Sequence, residues 1–278
     1  MRFDGERRGA LALETRAAPD VDAFVRTAEA TIARATERGA ALAYGFVEAG
    51  AADVIFARLG WTSLGPAPLL VRPLRLASER LGLPAAARAM LPRVPLVMPF
   101  ARRRRPGVRE ILVDDPRVTR LWDRFSIDVP VAVERAARWV GPRIFGRPEA
   151  GYRVFIFEDG DRYVIRALCI FRTTTTGARV QGAVLELLHD RSVAGMRAAS
   201  HLLGLSLREM SDAGAESVSA WSLVHSGSFP LFARHAFLPA GRGPGGLSFG
   251  VRAIDPALAD LVARRHHWYL SGLDFASA

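Results

Sequence analysis

Two stretches of this 278-residue chain repeat one another 176 positions apart. Phe56-Ala57-Arg58 is followed by Trp61, Gly65 and Pro68, and Phe232-Ala233-Arg234 by Phe237, Gly241 and Pro244. Upstream, Gly39-Ala40 matches Gly214-Ala215 at an offset of 175, and Leu13-Glu14 matches Leu185-Glu186 at 172. Anchors at a nearly constant offset point to a duplicated unit, and a duplication constrains the fold more than any single motif. Each unit opens with an apolar run too short for a helix, at 10–15 and 183–188, which predicts a buried strand. A helix follows. In the first unit Asp20 is its cap, Phe24, Val25, Ala28 and Ile32 its apolar face, and Gly39 its stop. In the second, Met196, Leu203, Leu207 and Met210 form the face and Gly214 the stop. A second strand (41–46; 217–221), a short helix carrying Phe-Ala-Arg, and a hairpin (61–73; 237–254) complete each unit. Strand, crossover helix and strand imply a parallel pair with a right-handed crossover.

The two units are unequal. Before the second lie a strand at 108–114, helical stretches at 116–125 and 129–140, and two strands at 152–157 and 163–171. The turn Glu158-Asp159-Gly160-Asp161 separates those strands, a strong hairpin signal. The expected organisation is therefore a half unit at 1–75, a Pro- and Arg-rich linker at 76–107, a complete unit at 108–254 and a helical tail at 255–278. The fold class is α/β, a mixed sheet flanked by helices. A half unit with an open sheet edge calls for cover by the other unit or by a second copy of the chain.

Half of the residues are apolar, ample for a core of this size. The chain contains neither Lys nor Asn, so all 38 cations of its +10 formal charge are Arg, a pattern expected of GC-rich codon usage. Only Arg102–Arg105 is dense. Elsewhere arginine alternates with Asp and Glu, which argues against a nucleic-acid surface. The proline-rich, apolar stretch leading into that run, 91–105, reads as a solvated connector; resting on an anionic membrane is the alternative. No apolar run reaches about eighteen residues and no secretory core opens the chain, so the expected location is cytoplasmic. The single Cys169 excludes a disulfide framework and a Cys-rich zinc site. His266-His267 has no third His at helical spacing, and no metal site is expected. Gly241 to Gly246 matches a dinucleotide loop in letters only, because a strand-like run rather than a helix follows.

The strand AVLELL, the helix LLGLSLREMSDAGAESV and the segment SGSFPLFARHAFLPAG together resemble the GNAT superfamily of acetyl-CoA-dependent N-acetyltransferases, in a tandem form with a degenerate N-terminal copy. The likeness spans 108–253 as a full unit and 9–75 as a partial one. It implies that acetyl-CoA is the co-substrate, its pantetheine arm held where the strands at 183–188 and 217–221 splay. Leu187 and Leu188 would bond the arm, and Ser192, Gly195, Arg197 and Ala199 would meet the pyrophosphate at the following helix start. The resemblance also implies Glu186 as general base and His225, just past the second strand, as acid or base. The acceptor would be the amine of a small molecule or peptide. The sequence departs from the family pattern at the phosphate loop, where Arg197 replaces a glycine. It departs again at Phe232 and Phe56, which occupy the position of a proton-donating Tyr, and at Ala236, which replaces a glycine. Those departures keep two alternatives open: a catalytically inactive GNAT-fold binding module, and a transferase that takes its group from aminoacyl-tRNA.

Overall fold

In the computed structural model, Asp20 caps the first long helix as its position suggests, its carboxylate accepting from the Ala23 N–H at 3.0 Å. Gly39, at φ +81, turns the chain out of that helix. The structure describes residues 20–75, 104–160, 163–240 and 246–274, and the backbone alone of 2–3, 6–7, 9–15, 76–77 and 93–95. The first copy runs β1 (Gly9–Thr15), α1 (Val21–Glu37), β2 (Ala40–Glu48), α2 (Ala49–Leu59), β3 (Thr62–Pro66) and β4 (Leu69–Pro73). The middle contributes β5 (Val108–Ile111), α3 (Arg117–Phe125), β6 (Tyr152–Glu158) and β7 (Ile165–Thr176). The second copy runs β8 (Arg179–His189), α4 (Val193–Asp212), β9 (Ser217–Trp221), α5 (Phe229–Arg234), β10 (Leu238–Pro239) and β11 (Leu247–Ala253). β1 pairs parallel with β2, and β8 with β9.

The sequence repeat is a copied helix stop. α2 ends at Gly60, φ +63, and the Trp61 N–H returns to the Phe56 carbonyl at 2.8 Å. After α5, Ala236 adopts φ +55 and the Phe237 N–H returns to the Phe232 carbonyl at 3.0 Å. The paired rings pack at 5.8 Å (Phe56–Trp61) and 5.2 Å (Phe232–Phe237). A Cβ in left-handed backbone costs roughly 1–2 kcal/mol, part of which glycine returns as chain entropy. Ala236→Gly is therefore expected to stabilise the protein by about 1 kcal/mol, read as a higher urea midpoint; a lower midpoint would contradict the shared geometry.

The hairpins expected at 61–73 and 237–254 do not form. Each copy instead gives its last strand to the other. β4 pairs antiparallel with β9, Leu69 opposite Trp221 and Pro73 opposite Ser217, and β10 pairs with β4. Reciprocally, β11 pairs with β2, Leu247 opposite Glu48 and Ala253 opposite Leu42, and β3 pairs with β11. The result is a seven-stranded sheet ordered β10-β4-β9-β8-β7-β6-β5 and a four-stranded one ordered β1-β2-β11-β3. Neither sheet is built from one copy alone, so the expected half and complete units share their strands. The exchange covers the edges of β2 and β9, which a truncated unit would leave open.

Three further expectations change. Residues 129–140 are not one helix: the chain is extended at Val131–Ala132 and helical only over Ala137–Val140. Pro130 and the valines around it favour extended backbone, and Arg135 is drawn into a buried ion pair described below. Met196 is 38% exposed, one turn from the start of α4, whereas Leu203, Leu207 and Met210 are buried on β7 and β8. The tail is only partly helical. It makes short turns at Pro256–Leu258, Ala259–Val262 and Arg265–His267, then runs on to Gly272–Asp274 over the seven-stranded sheet. Trp268 is buried against Phe249 of the four-stranded sheet, 5.1 Å between rings, and Phe249 stacks on Phe46 of the first copy at 5.2 Å. Of the arginine run, Arg104 lies near Glu110 and Glu209, at 3.7 and 3.6 Å, and stacks on Phe155. Arg102, Arg103 and the loop 241–245 lie outside the described residues.

Candidate functional site

β8 and β9 start as neighbours and then part. They pair from Gln181–Ser217 to Val184–Ala220 and no further, although β8 continues to His189. The divergence begins at a bulge: Ile170 of β7 faces Glu186 and Phe171 faces Val184, leaving Leu185 unmatched. An extra residue in one strand bends it and increases its twist. β8 thus turns away from β9 and exposes the N–H and C=O of Leu187 to the gap.

Side chains satisfy those two groups where a strand would otherwise do so. The Leu187 N–H donates to the Glu186 carboxylate at 3.0 Å, and its carbonyl accepts from the Ser228 hydroxyl at 2.7 Å. A buried backbone group needs a partner, and these are the ones available. Glu186, Leu187, Ser228, Phe232, Tyr269 and Ser271 line a space of about 180 Å³ that is nowhere wide enough for a water molecule. The wedge is open in topology and filled by side chains.

Glu186 is buried and accepts four hydrogen bonds. Arg135 Nε approaches Oε2 at 2.6 Å and Ser271 Oγ at 2.8 Å. The Leu187 N–H and the Tyr269 hydroxyl donate to Oε1. Arg135, equally buried, also binds Asp274 at 2.6 Å, Ser271 Oγ at 3.0 Å and the Val133 carbonyl at 3.0 Å. Burial opposes its charge, but Asp274 and Glu186 outweigh burial and hold the guanidinium firmly protonated. One guanidinium thus serves two carboxyls. Burial pushes the Asp274 carboxyl up despite Arg135, and its Oδ1 has no hydrogen-bond partner among the described residues. Burial, reinforced by Glu186, raises the Tyr269 phenol well above its ordinary value, so it stays a donor.

His225 sits on the loop leaving β9 and donates from Nε2 to the Trp268 carbonyl at 2.9 Å. Burial lowers its pKa, which leaves the imidazole neutral near pH 7 with Nδ1 as the acceptor. The start of α4 carries mixed chemistry. Ser192 caps it, accepting from the Gly195 N–H at 2.9 Å, and Asp190 accepts from the Ser192 N–H at 3.1 Å. Burial raises the Asp190 carboxyl, but Arg166 at 2.7 Å and Ser192 more than reverse this and keep it ionised. The carboxylate lies so close over the helix start that a Cβ on Gly195 would fall 2.0 Å from its Oδ1. Arg197 is exposed, whereas Leu188 and Ala199 are packed in the core.

The structure therefore brings Glu186 and Leu187 to one gap, lined also by Ser222 and Ser228 of the loop that carries His225, leaves the His225 side chain exposed outside that lining, and sets Leu188 and Ala199 aside. Sequence reasoning missed Arg135, Ser228, Tyr269, Ser271 and Asp274. Arg135 stood inside an expected helix, and the others carried no spacing signal. Among the described residues no cluster of His, Cys, Asp and Glu could hold a metal ion, and no helix is long and apolar enough to cross a membrane. Cys169 is buried and its thiol is pushed up to about 12 by burial.

No family model matches the chain and no curated protein sequence does. Solved structures of similar fold include a GCN5-related N-acetyltransferase from Sphaerobacter thermophilus. The two share 15% identity at a TM-score of 0.50 over 91% of this chain and 79% of that one. A GCN5-related N-acetyltransferase from Anabaena variabilis ATCC 29413 shares 10% identity at 0.51, over 85% of this chain and 52% of that one. A conserved protein from Enterococcus faecalis V583, described as a probable N-acyltransferase, shares 12% at 0.51, over 91% and 56%. The chain spans little more than half the length of the last two.

Proposed function

The chain has the fold of the GNAT superfamily, and on that premise we propose that it is an N-acyltransferase, moving an acyl group from acyl-CoA, with acetyl-CoA the default donor, to an amine. The observation that carries this reading is the parting of β8 from β9 after Val184 and Ala220, opposite the bulge at Leu185.

The donor set suits the amide-bearing arm of such a co-substrate. Leu187 offers one N–H and one C=O on the open side of β8. Both are held by side chains, Glu186 and Ser228, that can rotate away without unpairing a strand. Leu187 would hold the arm, and the capped start of α4, with Arg197 one turn in, would face the phosphates. Asp190 works against an anion there, and its pairing with Arg166 tempers that repulsion. When bound, acyl-CoA supplies a thioester carbonyl carbon for the amine to attack, with a thiolate as leaving group. His225 takes the amine proton on Nδ1, its ring oriented by the Nε2–H bond to Trp268. Glu186 acts as an anchor only in the closed site, where all four of its partners are in place, and leaves the Leu187 N–H when the arm enters. Phe232 carries no hydroxyl and supplies no acid.

The acceptor is a small-molecule or peptide amine. One observation favours a second reading, a GNAT-fold binding module without turnover: the filled wedge, with no room for water. Titration with acetyl-CoA separates the readings from the absence of either. Ligand at a hundredfold excess over Kd stabilises by about 2.7 kcal/mol, roughly 5–10 °C in Tm for a chain this long. Such a shift with amine-dependent thiol release is the expected result. A shift without turnover selects the binding module, and no shift removes both.

A further inference from the structure

The segment after the turn at Arg265–His267, residues 268–274, lies along the wedge and does three things there. It lines the gap with Tyr269 and Ser271. It supplies two of the four donors on Glu186, the Tyr269 hydroxyl and Ser271 Oγ. It also holds His225 through the Trp268 carbonyl. Its own anchorage is equally specific. Tyr269 N–H bonds the Val131 carbonyl at 2.9 Å, Trp268 Nε1 bonds the Val262 carbonyl at 2.8 Å, and Arg135 clamps Asp274. At Gly272 the segment passes so close to β8 that a Cβ would stand 3.0 Å from the Leu185 Cα and 3.3 Å from its carbonyl oxygen.

We propose that residues 268–274 are a strap that closes the acyl-donor wedge and occupies Glu186 at the same time, so that opening the wedge and freeing the Glu186 carboxylate are one event. The inference rests on the transferase reading for the identity of the ligand, but not for the motion. With the strap seated, Glu186 has no open lone pair. With it lifted, Tyr269 and Ser271 leave, while Arg135 stays and the Leu187 N–H is released only to an entering ligand. The carboxylate then has two accepting positions facing the gap, which is what a proton acceptor in that gap requires. Asp274 marks the latch as incomplete. One of its oxygens is buried without a partner among the described residues, which lowers the cost of releasing it. A ligand that enters only the open state binds weaker by the fraction of molecules that are open.

The test uses the full chain and hydrogen exchange read by mass spectrometry, with and without coenzyme A. Gly272→Ala places a methyl against the Leu185 backbone without touching Glu186. Exchange in 268–274 and in 185–189 should rise together by about five- to a hundredfold, the range that overpacking by one methyl implies. Residues 179–184, zipped to β9, should not change. Coenzyme A should bind the variant tighter than the wild type, by up to the same factor. Tyr269→Phe, which keeps the ring and removes one donor on Glu186, carries the same test should Gly272→Ala fail to fold. If the two segments exchange independently, or both exchange only with global unfolding, the strap is wrong. If they exchange together and coenzyme A binds neither protein, the strap stands and the acyl-CoA reading falls.

Discussion

A fragment spanning residues 104–278, which holds the whole second copy, is expected not to fold alone. It lacks β4, the strand that sits between β9 and β10, and it carries β11 without β2 and β3 to receive it. Phe249 and Val251 of β11 are fully buried in the intact chain against first-copy residues and Trp268. Exposing two such side chains costs roughly 3–6 kcal/mol, comparable to the net stability of a small domain. The bare edge of β9 would also invite association. Co-expression with a fragment of residues 1–77 should restore a soluble, tight complex. Size-exclusion chromatography and circular dichroism of each fragment and of the pair check this. A soluble, folded 104–278 monomer would show that the exchanged strands are not required.

The second large effect is expected at Arg135. Its guanidinium is fully buried between Glu186 and Asp274, with Trp139 and Tyr269 over its faces at 4.8 and 5.9 Å. Removing one partner of a buried ion pair typically costs about 3–5 kcal/mol, because it strands a charge in low dielectric. Arg135→Met strands two carboxyls and should fall at the upper end, read as a large drop in the urea midpoint. The cause is testable by compensation. Adding Glu186→Gln and Asp274→Asn to Arg135→Met removes the stranded charges and should recover a substantial part of the loss, since neutral replacements of buried ion pairs are often tolerated. A triple variant no more stable than Arg135→Met would locate the cost in packing around Trp139 instead.

Legibility from sequence followed the range of the interaction. Caps and stops are local: Asp20, Gly39 and Gly214 stand where backbone geometry needs them, and each could be read within a few residues. The parallel strand–helix–strand order in both copies was legible for the same reason, as was the likeness to GNAT proteins that rests on it. The hairpins were misread because a turn dictates only that a chain reverses, not which edge the returning strand meets. Two equivalent edges were available, and each copy's last strand meets the edge of the other copy. The site divides in the same way. Glu186 and Leu187 were visible as members of a strand beside an expected splay, and His225 as a residue beyond its neighbour. Arg135, 51 positions from Glu186, reaches it from the segment after α3, and Asp274, 139 positions from Arg135, reaches that guanidinium because the tail crosses the sheet.

By itself the sequence determined a duplicated α/β chain, the start and end of its long helices, and the strand that carries the candidate site. Backbone capping and apolar periodicity act over a few residues and leave their mark in the order of the letters. Only the tertiary structure decided that the copies trade strands and that a buried guanidinium and a returning tail close the wedge. Those outcomes depend on which distant surfaces can shed water against one another and which buried charges find a partner, and neither is written in any one stretch of chain.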